Sequence, residues 1–429
     1  MRPDDSHEMH LNLNVRGLPL SATLEINELS NELIASGRKV YKLGLGQSPF
    51  PVPQPVVDAL KANAHQKDYL PVRGLPDLQK AVVGYFERTQ GLAYQPQNVL
   101  VGPGSKELMF ILQLAYYGDL VIPTPSWVSY APQAHIIGRH VRWLPTRAEN
   151  KWLLTPEDLE RFCSGDPSKP RIIILNYPNN PTGYSYSDEQ LQALAEVARK
   201  YRLILLSDEI YGELRFDGKH RSIARHYPEG TIISSGLSKW CGAGGWRLGT
   251  FLVPRALDWL VKGMATVASE TFTATSAPIQ YAAVRAFSGG PEIEDYLRQS
   301  RRLLAALGTR VHATLRDLGL DLAPFDGGFY AFPDFTPLRD RLAGRGIATS
   351  AQFCTRLLEE TGVAILPGSS FGRPESELTA RLAYVDFEGA QALAAVKETE
   401  GDRELDDAFL RRHCSRVVTA LELLADWLS

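Results

Sequence analysis

The sequence has no excess of positive charge and no long apolar run. Its 429 residues carry 46 Lys and Arg against 49 Asp and Glu, a formal net charge of −3 at pH 7. Such a balance gives no basic field of the kind that attracts nucleic acid. Apolar runs such as residues 172–175 and 203–206 have the length of a strand and are far too short to span a bilayer. Neither nucleic acid nor a membrane is therefore expected as a partner.

Cysteine is also scarce, with four residues that are scattered along the chain: Cys163, Cys241, Cys354 and Cys414. The absence of a CxxC pair, and of histidines at ligand spacing, favours free buried thiols over disulfides or a metal site. The opening segment MRPDDSHEMH contains acidic residues and lacks the apolar stretch of a secretory signal. We expect a cytoplasmic protein without a bound metal, whose residues 1–11 are disordered.

The middle of the chain alternates apolar, strand-length runs with amphipathic helical segments. Helices are predicted at 105–117 and 187–201. Strands are predicted at 98–101, 119–125, 171–178, 203–209, 231–236 and 249–254. Continuous apolar strands separated by helices are typical of a mostly parallel sheet covered on both faces. In this α/β architecture, ligands bind at the carboxyl ends of the strands.

The pattern changes beyond about residue 290. A long segment at 293–319 has apolar residues at helical spacing, and a hairpin-like GGFYAFPD segment follows it. Two more helices are predicted at 351–361 and 402–427. The predicted division is an N-terminal arm that forms part of a smaller domain (12–56), a large domain (57–290) and a C-terminal part of the smaller domain (291–429).

The predicted strands end at chemically distinctive residues. Gly104, Ser105 and Lys106 follow the first strand and open a helix, whose free N–H groups and positive dipole end suit a phosphate. Trp127 follows the next strand, as a buried aromatic or as a plate against which a flat ring stacks. Asn180 lies in the turn NYPNNPTG after the third strand.

The later strands continue the series. Asp208 and Tyr211 lie at the end of the fourth, in SDEIY, and a buried aspartate there needs a cationic partner. Lys239 follows the fifth, and Arg247, a donor suited to phosphate, comes eight residues later. Each residue alone has an ordinary structural explanation. Together they describe a pocket for a flat, phosphorylated, cationic ring that a lysine can bond covalently.

This set resembles the aspartate aminotransferase family of class I/II pyridoxal-phosphate enzymes, of fold type I, from about residue 17 to residue 390. The motifs NYPNNPTG, SDEIY, SGLSK followed by GGWRLG, and ARLAY occur in that order. The resemblance implies a large domain with a mostly parallel seven-stranded sheet between helices, and a smaller α/β domain built from both chain ends. It also implies pyridoxal 5′-phosphate as cofactor. The implied reaction is ping-pong transfer of an amino group between an L-amino acid and a 2-oxo acid, through an internal aldimine on Lys239.

The resemblance also implies roles for individual residues. Lys239 would bond covalently to the cofactor and would carry the proton between the substrate Cα and the cofactor. Asp208 would face the ring nitrogen, and Tyr211 would form a hydrogen bond to the ring 3-oxygen. The remaining cofactor contacts would come from Gly104, Ser105, Lys106, Trp127, Asn180, Ser235 or Ser238, and Arg247. For the substrate, Arg381 would bind the α-carboxylate as a bidentate donor and Gly46 would line the same site, with Asn180 and Trp127 beside them. Tyr69 would reach the phosphate of a neighbouring subunit, so a homodimer with shared sites is expected.

Two questions stay open from the sequence. One is the reaction, because a PLP-dependent C–S β-lyase or an aminocyclopropane-carboxylate-synthase-like cyclase would use the same cofactor on the same fold. The other is the substrate side chain. Aromatic and apolar residues around Phe50, Tyr130 and 329–330 favour neutral or aromatic substrates, and we find no second arginine for an acidic one.

Overall fold

The computed structural model describes residues 11–18, 22–399 and 403–429. Except for Leu11, the segment expected to be disordered lies outside the described residues. The helices are α1 (Ala22–Ala35), α2 (Gln54–Asn63), α3 (Pro76–Gln90), α4 (Ser105–Ala115), α5 (Tyr130–Ile136), α6 (Pro156–Ser164), α7 (Asp188–Lys200), α8 (Asp258–Thr271), α9 (Ala277–Ser288), α10 (Pro291–Asp317), α11 (Arg339–Gly344), α12 (Ser350–Thr361), α13 (Gly389–Glu398), α14 (Asp407–His413) and α15 (Ser415–Leu428).

The strands are short in the outer parts of the chain and longer in the middle. They are β1 (Tyr41–Lys42), β2 (Val99–Gly102), β3 (Asp119–Thr124), β4 (Val141–Pro145), β5 (Arg171–Asn176), β6 (Ile204–Asp208), β7 (Thr231–Gly236), β8 (Gly249–Leu252), β9 (Tyr330–Ala331), β10 (Val363–Ala364), β11 (Leu366–Pro367) and β12 (Ala380–Ala383).

A seven-stranded sheet with the order β2-β8-β7-β6-β5-β3-β4 forms the centre of the fold. Strand β8 is antiparallel to both of its neighbours, and the other pairs are parallel. The predicted fold class is confirmed. Strand β4 was not predicted, because it lies at the sheet edge with three of its five residues exposed and so lacks the apolar run of a central strand.

Both faces of this sheet are covered, which explains the unbroken apolar strands. In β5, Ile172 and Ile174 pack into a cluster with α4, α5 and α8, while Ile173 and Leu175 pack into the larger cluster on the opposite face. All six residues of β5 are buried. Successive side chains of a strand point to opposite faces, so a strand covered on both sides is apolar along its middle, and in β5 only the two end residues are polar.

The two ends of the chain meet in a second group of strands. Strand β1 pairs with β10 in parallel, with Tyr41 opposite Val363, and β11-β12-β9 form an antiparallel sheet. The segment GGFYAFPD is therefore not a hairpin, because β9 pairs with β12 about fifty residues later. The predicted division into domains stays a prediction.

The last predicted helix, 402–427, is also wrong as one element. Cys414 has φ −129° and ψ 32°, which are not helical, and it separates α14 from α15. Helix α12, at Ser350–Thr361, agrees with the predicted helix at 351–361 and ends at Gly362, which adopts the left-handed conformation (φ 78°).

Candidate active site

The carboxyl edge of the central sheet carries a cavity of about 300 Å³. Nine of the predicted site residues line it, together with three that were not predicted as site residues. The lining consists of Ser105, Lys106, Trp127, Tyr130, Asn176, Asn180, Asp208, Ile210, Tyr211, Ser238, Lys239 and Arg247. Because parallel strands end at the same edge, residues that directly follow different strands meet here.

Lys239 lies on the turn after β7, with its amine directed toward the N-terminal arm. Its Nζ donates a hydrogen bond to the carbonyl oxygen of Gly46 at 2.7 Å. Burial lowers the pKa of this amine to about 8, and the positive charge of Arg381 acts in the same direction, while Asp208 opposes them. About one amine in ten is then neutral at pH 7, and only the neutral amine can form a bond to a carbonyl carbon or accept a proton.

Asp208 is the last residue of β6 and its side chain is 3% exposed. Its Oδ2 accepts a hydrogen bond from the hydroxyl of Tyr130 at 2.6 Å, whereas Oδ1 has no partner among the described residues. Burial raises the pKa of this carboxyl group to about 6, against the opposing effect of the Tyr130 hydrogen bond. A buried carboxylate oxygen that lacks a donor fits the protonated ring nitrogen of pyridoxal phosphate.

Tyr130 was expected near the substrate. It lines the cavity, and its hydroxyl donates a hydrogen bond to Asp208. Asn176 and Ile210 were missed as lining residues. The side chain of Asn176 donates a hydrogen bond to the backbone carbonyl oxygen of Asp208 at 2.8 Å and accepts one from the backbone N–H of Asn180 at 2.7 Å. The Asn at the end of β5 was visible in the sequence, but its contacts depend on the register between β5 and β6.

The start of helix α4 and Arg247 form a cradle that fits a phosphate. Gly104 has φ 91°, and a Cβ built on it would lie 2.4 Å from Nη2 of Arg247. A Cβ on Gly249 would lie 2.0 Å from the backbone nitrogen of Ser105. These two glycines therefore allow the guanidinium to approach the N-terminus of an eleven-residue helix, where free N–H groups favour an anion.

Of the two serines expected near this cradle, the structure places Ser238 in the cavity lining. Ser235 is 4% exposed within β7, opposite Thr250 of β8, and is not part of the lining. Trp127 lines the cavity on the loop after β3, and the Nζ of Lys106 lies 5.4 Å from the centroid of its ring.

Arg381 reaches the site from β12, on the other group of strands. It is 1% exposed; its Nη1 donates to Oδ1 of Asn180 at 3.0 Å and its Nη2 to the carbonyl oxygen of Gly44 at 2.6 Å. Its Nε has no partner among the described residues. The guanidinium also packs on the rings of Tyr330 (4.8 Å) and Phe371 (5.0 Å). A buried guanidinium that no carboxylate of the described residues binds, in a site that lies next to an amine, suits a substrate carboxylate.

Contacts of Gly46 and Tyr211 with Tyr330 connect the guanidinium of Arg381 to Lys239. A Cβ on Gly46 would lie 2.1 Å from the hydroxyl oxygen of Tyr330, so a larger residue is excluded there. The hydroxyls of Tyr211 and Tyr330 are 2.8 Å apart. Phe50, by contrast, packs against Tyr296 and Phe387 in the core and does not line the cavity.

Tyr69, a predicted cofactor contact, lies at the surface, 90% exposed and outside the cavity. The four cysteines are free and buried. Across residues 11–18, 22–399 and 403–429, no group of three or more His, Cys, Asp or Glu side chains could hold a metal ion. Nor does any helix in these ranges have both the length and the hydropathy that a membrane crossing needs.

Residues 38–393 match the family model described as "Aminotransferase class I and II". The chain belongs to this family. It is 37% identical over 387 residues to an aspartate aminotransferase of Geobacillus stearothermophilus, which covers 88% of this chain and 94% of the relative. It is 32% identical over 374 residues to an asparagine–oxo-acid transaminase of Streptococcus mutans, with 85% and 92% covered.

Solved aminotransferases also share the fold. The Thermus thermophilus aspartate aminotransferase with maleate superposes with a TM-score of 0.82 at 28% identity, over 97% of this chain and 99% of that one. An aromatic aminotransferase from Pyrococcus horikoshii gives 0.77 at 26% identity, over 93% and 98%. The chain is a PLP-dependent aminotransferase that acts on amino and 2-oxo acids, and the lyase or cyclase alternative is not favoured.

Proposed function

We propose that this aminotransferase takes a dicarboxylic amino acid and its 2-oxo acid as substrates, and that it works as a homodimer. The charge of the cavity supports this proposal most directly. Lys106, Lys239 and Arg247 line it against the single carboxylate of Asp208, and Arg381 lies beside it. If Arg247 binds the cofactor phosphate and Arg381 the substrate α-carboxylate, Lys106 remains for a second carboxylate.

The side chain of Lys106 is suited to bind this second carboxylate. It lines the cavity next to the ring of Trp127, and no carboxylate of the described residues forms an ion pair with it. A compact ammonium on a flexible stem can follow side-chain carboxylates of different length. The names of several relatives, which refer to aspartate, support the same substrate class.

The residues of the chain divide the chemical work. When bound, the cofactor supplies an aldehyde carbon that bonds to amines and a ring that withdraws electrons. Asp208 would offer Oδ1 to the ring nitrogen, and Tyr130 holds the other oxygen through a hydrogen bond. Lys239, whose pKa is lowered, would accept the proton from the substrate Cα and would carry it to the cofactor carbon that keeps the amino group, as transamination requires.

The other contacts hold the reactants in place. Trp127 would pack on the ring face, and Tyr211 and Asn180 would form hydrogen bonds to the ring oxygen. Arg381 binds the α-carboxylate through its fork of donors, and because it is buried this ion pair is screened little by water.

A shared site in a homodimer accounts for Tyr69. An aromatic side chain that is 90% exposed in one chain, with a polar tip, is a natural contact for a second copy. The resemblance to the family implies that this tyrosine reaches the phosphate of the neighbouring subunit. The cytoplasmic location expected from the sequence stays a prediction.

The substrate proposal is tested by single-turnover reactions with aspartate, glutamate, alanine, leucine and phenylalanine, read by the loss of cofactor aldehyde absorbance. We expect the two acidic amino acids to react with the highest kcat/KM, and Lys106→Met to reduce that preference about tenfold or more. Lys80→Met, on an exposed lysine of α3, is the control. Equal preference in wild type and Lys106→Met, or faster reaction with phenylalanine, would contradict the proposal.

The dimer proposal is tested by mixing two defective chains. In a hybrid of Lys239→Ala with Tyr69→Phe, one of the two sites contains an intact Lys239 and an intact Tyr69 of the partner chain. We expect the hybrid to be more active than either parent. A hybrid no more active than the average of its parents would show that Tyr69 acts within its own chain or not at all.

A further inference from the structure

Arg373 joins two parts of the chain that are far apart in sequence. It follows the short turn 368–372 beyond β11, and its Nη1 donates to the carbonyl oxygen of Thr124 (3.1 Å) and to that of Thr146 (3.2 Å). Thr124 is the last residue of β3, and Thr146 directly follows β4. The guanidinium thus binds the ends of two neighbouring strands at the edge of the sheet that carries the active site.

The rest of the guanidinium is fixed by a carboxylate and an aromatic ring. Nε and Nη2 donate to the two oxygens of Glu377 at 2.8 and 2.9 Å, and the side chain of Arg373 is 9% exposed. The guanidinium carbon lies 4.9 Å from the centroid of the Trp152 ring. The three nitrogens therefore serve two sets of partners at once, the Glu377 carboxylate and the carbonyl oxygens at the strand ends, which a planar fork can do and a lysine ammonium on its single atom cannot.

The turn before Arg373 contacts both halves of the site. The backbone N–H of Ser126, next to Trp127, donates to the carbonyl oxygen of Phe371 at 3.0 Å. The ring of Phe371 in turn packs against the guanidinium of Arg381 at 5.0 Å. Residues 368–373 therefore lie between the expected carboxylate ligand and the aromatic ring of the cofactor pocket.

We propose that Arg373 is a positioning residue of the aminotransferase, which fixes the loop that carries Trp127 against the strand that carries Arg381. The proposal rests on the proposed function, because it takes the roles of Trp127 and Arg381 from there. Arg373 does not line the cavity and touches no reacting atom; it acts through the turn 368–372. A loosened turn would misplace the α-carboxylate relative to the ring, so substrate affinity would fall first.

The test uses the cofactor-loaded enzyme with Arg373→Lys, which keeps the charge and loses the fork. We expect KM for the amino acid and Kd for maleate, a dicarboxylate that cannot react, to rise about tenfold, with kcat within about twofold. The visible circular dichroism of the bound cofactor should change as well, since the contact of Trp127 with the ring shifts. Glu377→Gln, which weakens the orientation of the guanidinium, should give a smaller change in the same direction.

Arg199→Lys is the matched control. Arg199 also pairs with a glutamate, Glu229, donates to a backbone carbonyl and packs on a tyrosine, but it lies on α7, at the surface. If Arg373→Lys leaves KM, Kd and the circular dichroism within twofold of wild type, or changes them no more than Arg199→Lys does, the proposal is wrong, even when the melting temperature falls.

A third variant separates this proposal from the one on which it rests. Arg381→Lys should raise Kd for maleate about a hundredfold, because it removes the bidentate contact itself. If Arg381→Lys binds maleate normally, the proposed carboxylate site is wrong and the role of Arg373 falls with it. If Arg381→Lys is defective while Arg373→Lys is not, only the positioning role is refuted.

Discussion

Replacing Asp208 with Asn is expected to stabilise the cofactor-free protein while it impairs catalysis. Asp208 is 3% exposed, and Oδ1 has no donor among the described residues. Burial raises the pKa of its carboxyl group from the usual 3.8 to about 6. Above pH 6 the folded protein must therefore keep a charge where solvation is poor, which costs about 3 kcal/mol relative to the unfolded chain.

The pH dependence has a definite sign. Between about pH 4 and pH 6 the folded protein binds this proton more tightly than the unfolded chain, so the free energy of unfolding falls as the pH rises through this window. The Asn side chain carries no charge and can still accept the hydrogen bond of Tyr130 through its oxygen. The gain in stability of Asp208→Asn should be about 1–3 kcal/mol at pH 7 and should vanish near pH 4.

Urea denaturation of the cofactor-free wild type and variant from pH 4 to pH 8 measures this difference. Asp188→Asn is the control of opposite sign, because a hydrogen bond from His226 lowers the pKa of the Asp188 carboxyl group. Adding cofactor should stabilise the wild type more than Asp208→Asn, since only the carboxylate balances the charged ring nitrogen. A variant that is no more stable than wild type at pH 7, or a difference that does not change with pH, would refute this reasoning.

Three further predictions concern Lys239 and the phosphate cradle. Lys239→Ala should abolish turnover, although the variant should still bind the cofactor. Borohydride should attach the cofactor covalently to the wild type alone, which mass spectrometry would show. Retained turnover in the variant would contradict the assignment of Lys239 as the cofactor lysine. In cofactor-free protein, the rate of imine formation between Lys239 and pyridoxal should level off above pH 8–9. The reason is that a pKa of about 8, in place of the usual 10.5, makes the neutral fraction of the amine at pH 7 about 300-fold larger. A rate that still rises at pH 10 would be inconsistent with this pKa. Gly104→Ala should weaken cofactor binding at least tenfold, since the new Cβ meets Arg247, whereas Gly245→Ala, with open space around it, should not; equal affinities measured by fluorescence titration would exclude the cradle.

The sequence alone determined the central sheet and most of the cavity lining. Asp208 and Lys239 could be predicted to meet because each lies at or just beyond the carboxyl end of an apolar strand, and the ends of neighbouring parallel strands share one edge. The periodicity of buried strands and the chemistry of turns are local properties, so they can be read from consecutive residues.

Only the tertiary structure decided which side chains from distant segments complete the site. The family resemblance implied that Arg381 lies beside Asn180, but their direct hydrogen bond across 201 residues follows from packing, as does the hydrogen bond of Tyr130 to Asp208 across 78. The edge strand β4 and the break at Cys414 were likewise not predicted. The sequence of β4 looks like that of an exposed segment, and the sequence around Cys414 looks like that of a continuous helix. Which of several possible partners a tyrosine or an arginine contacts depends on how strands and helices pack, and no short stretch of sequence specifies that packing.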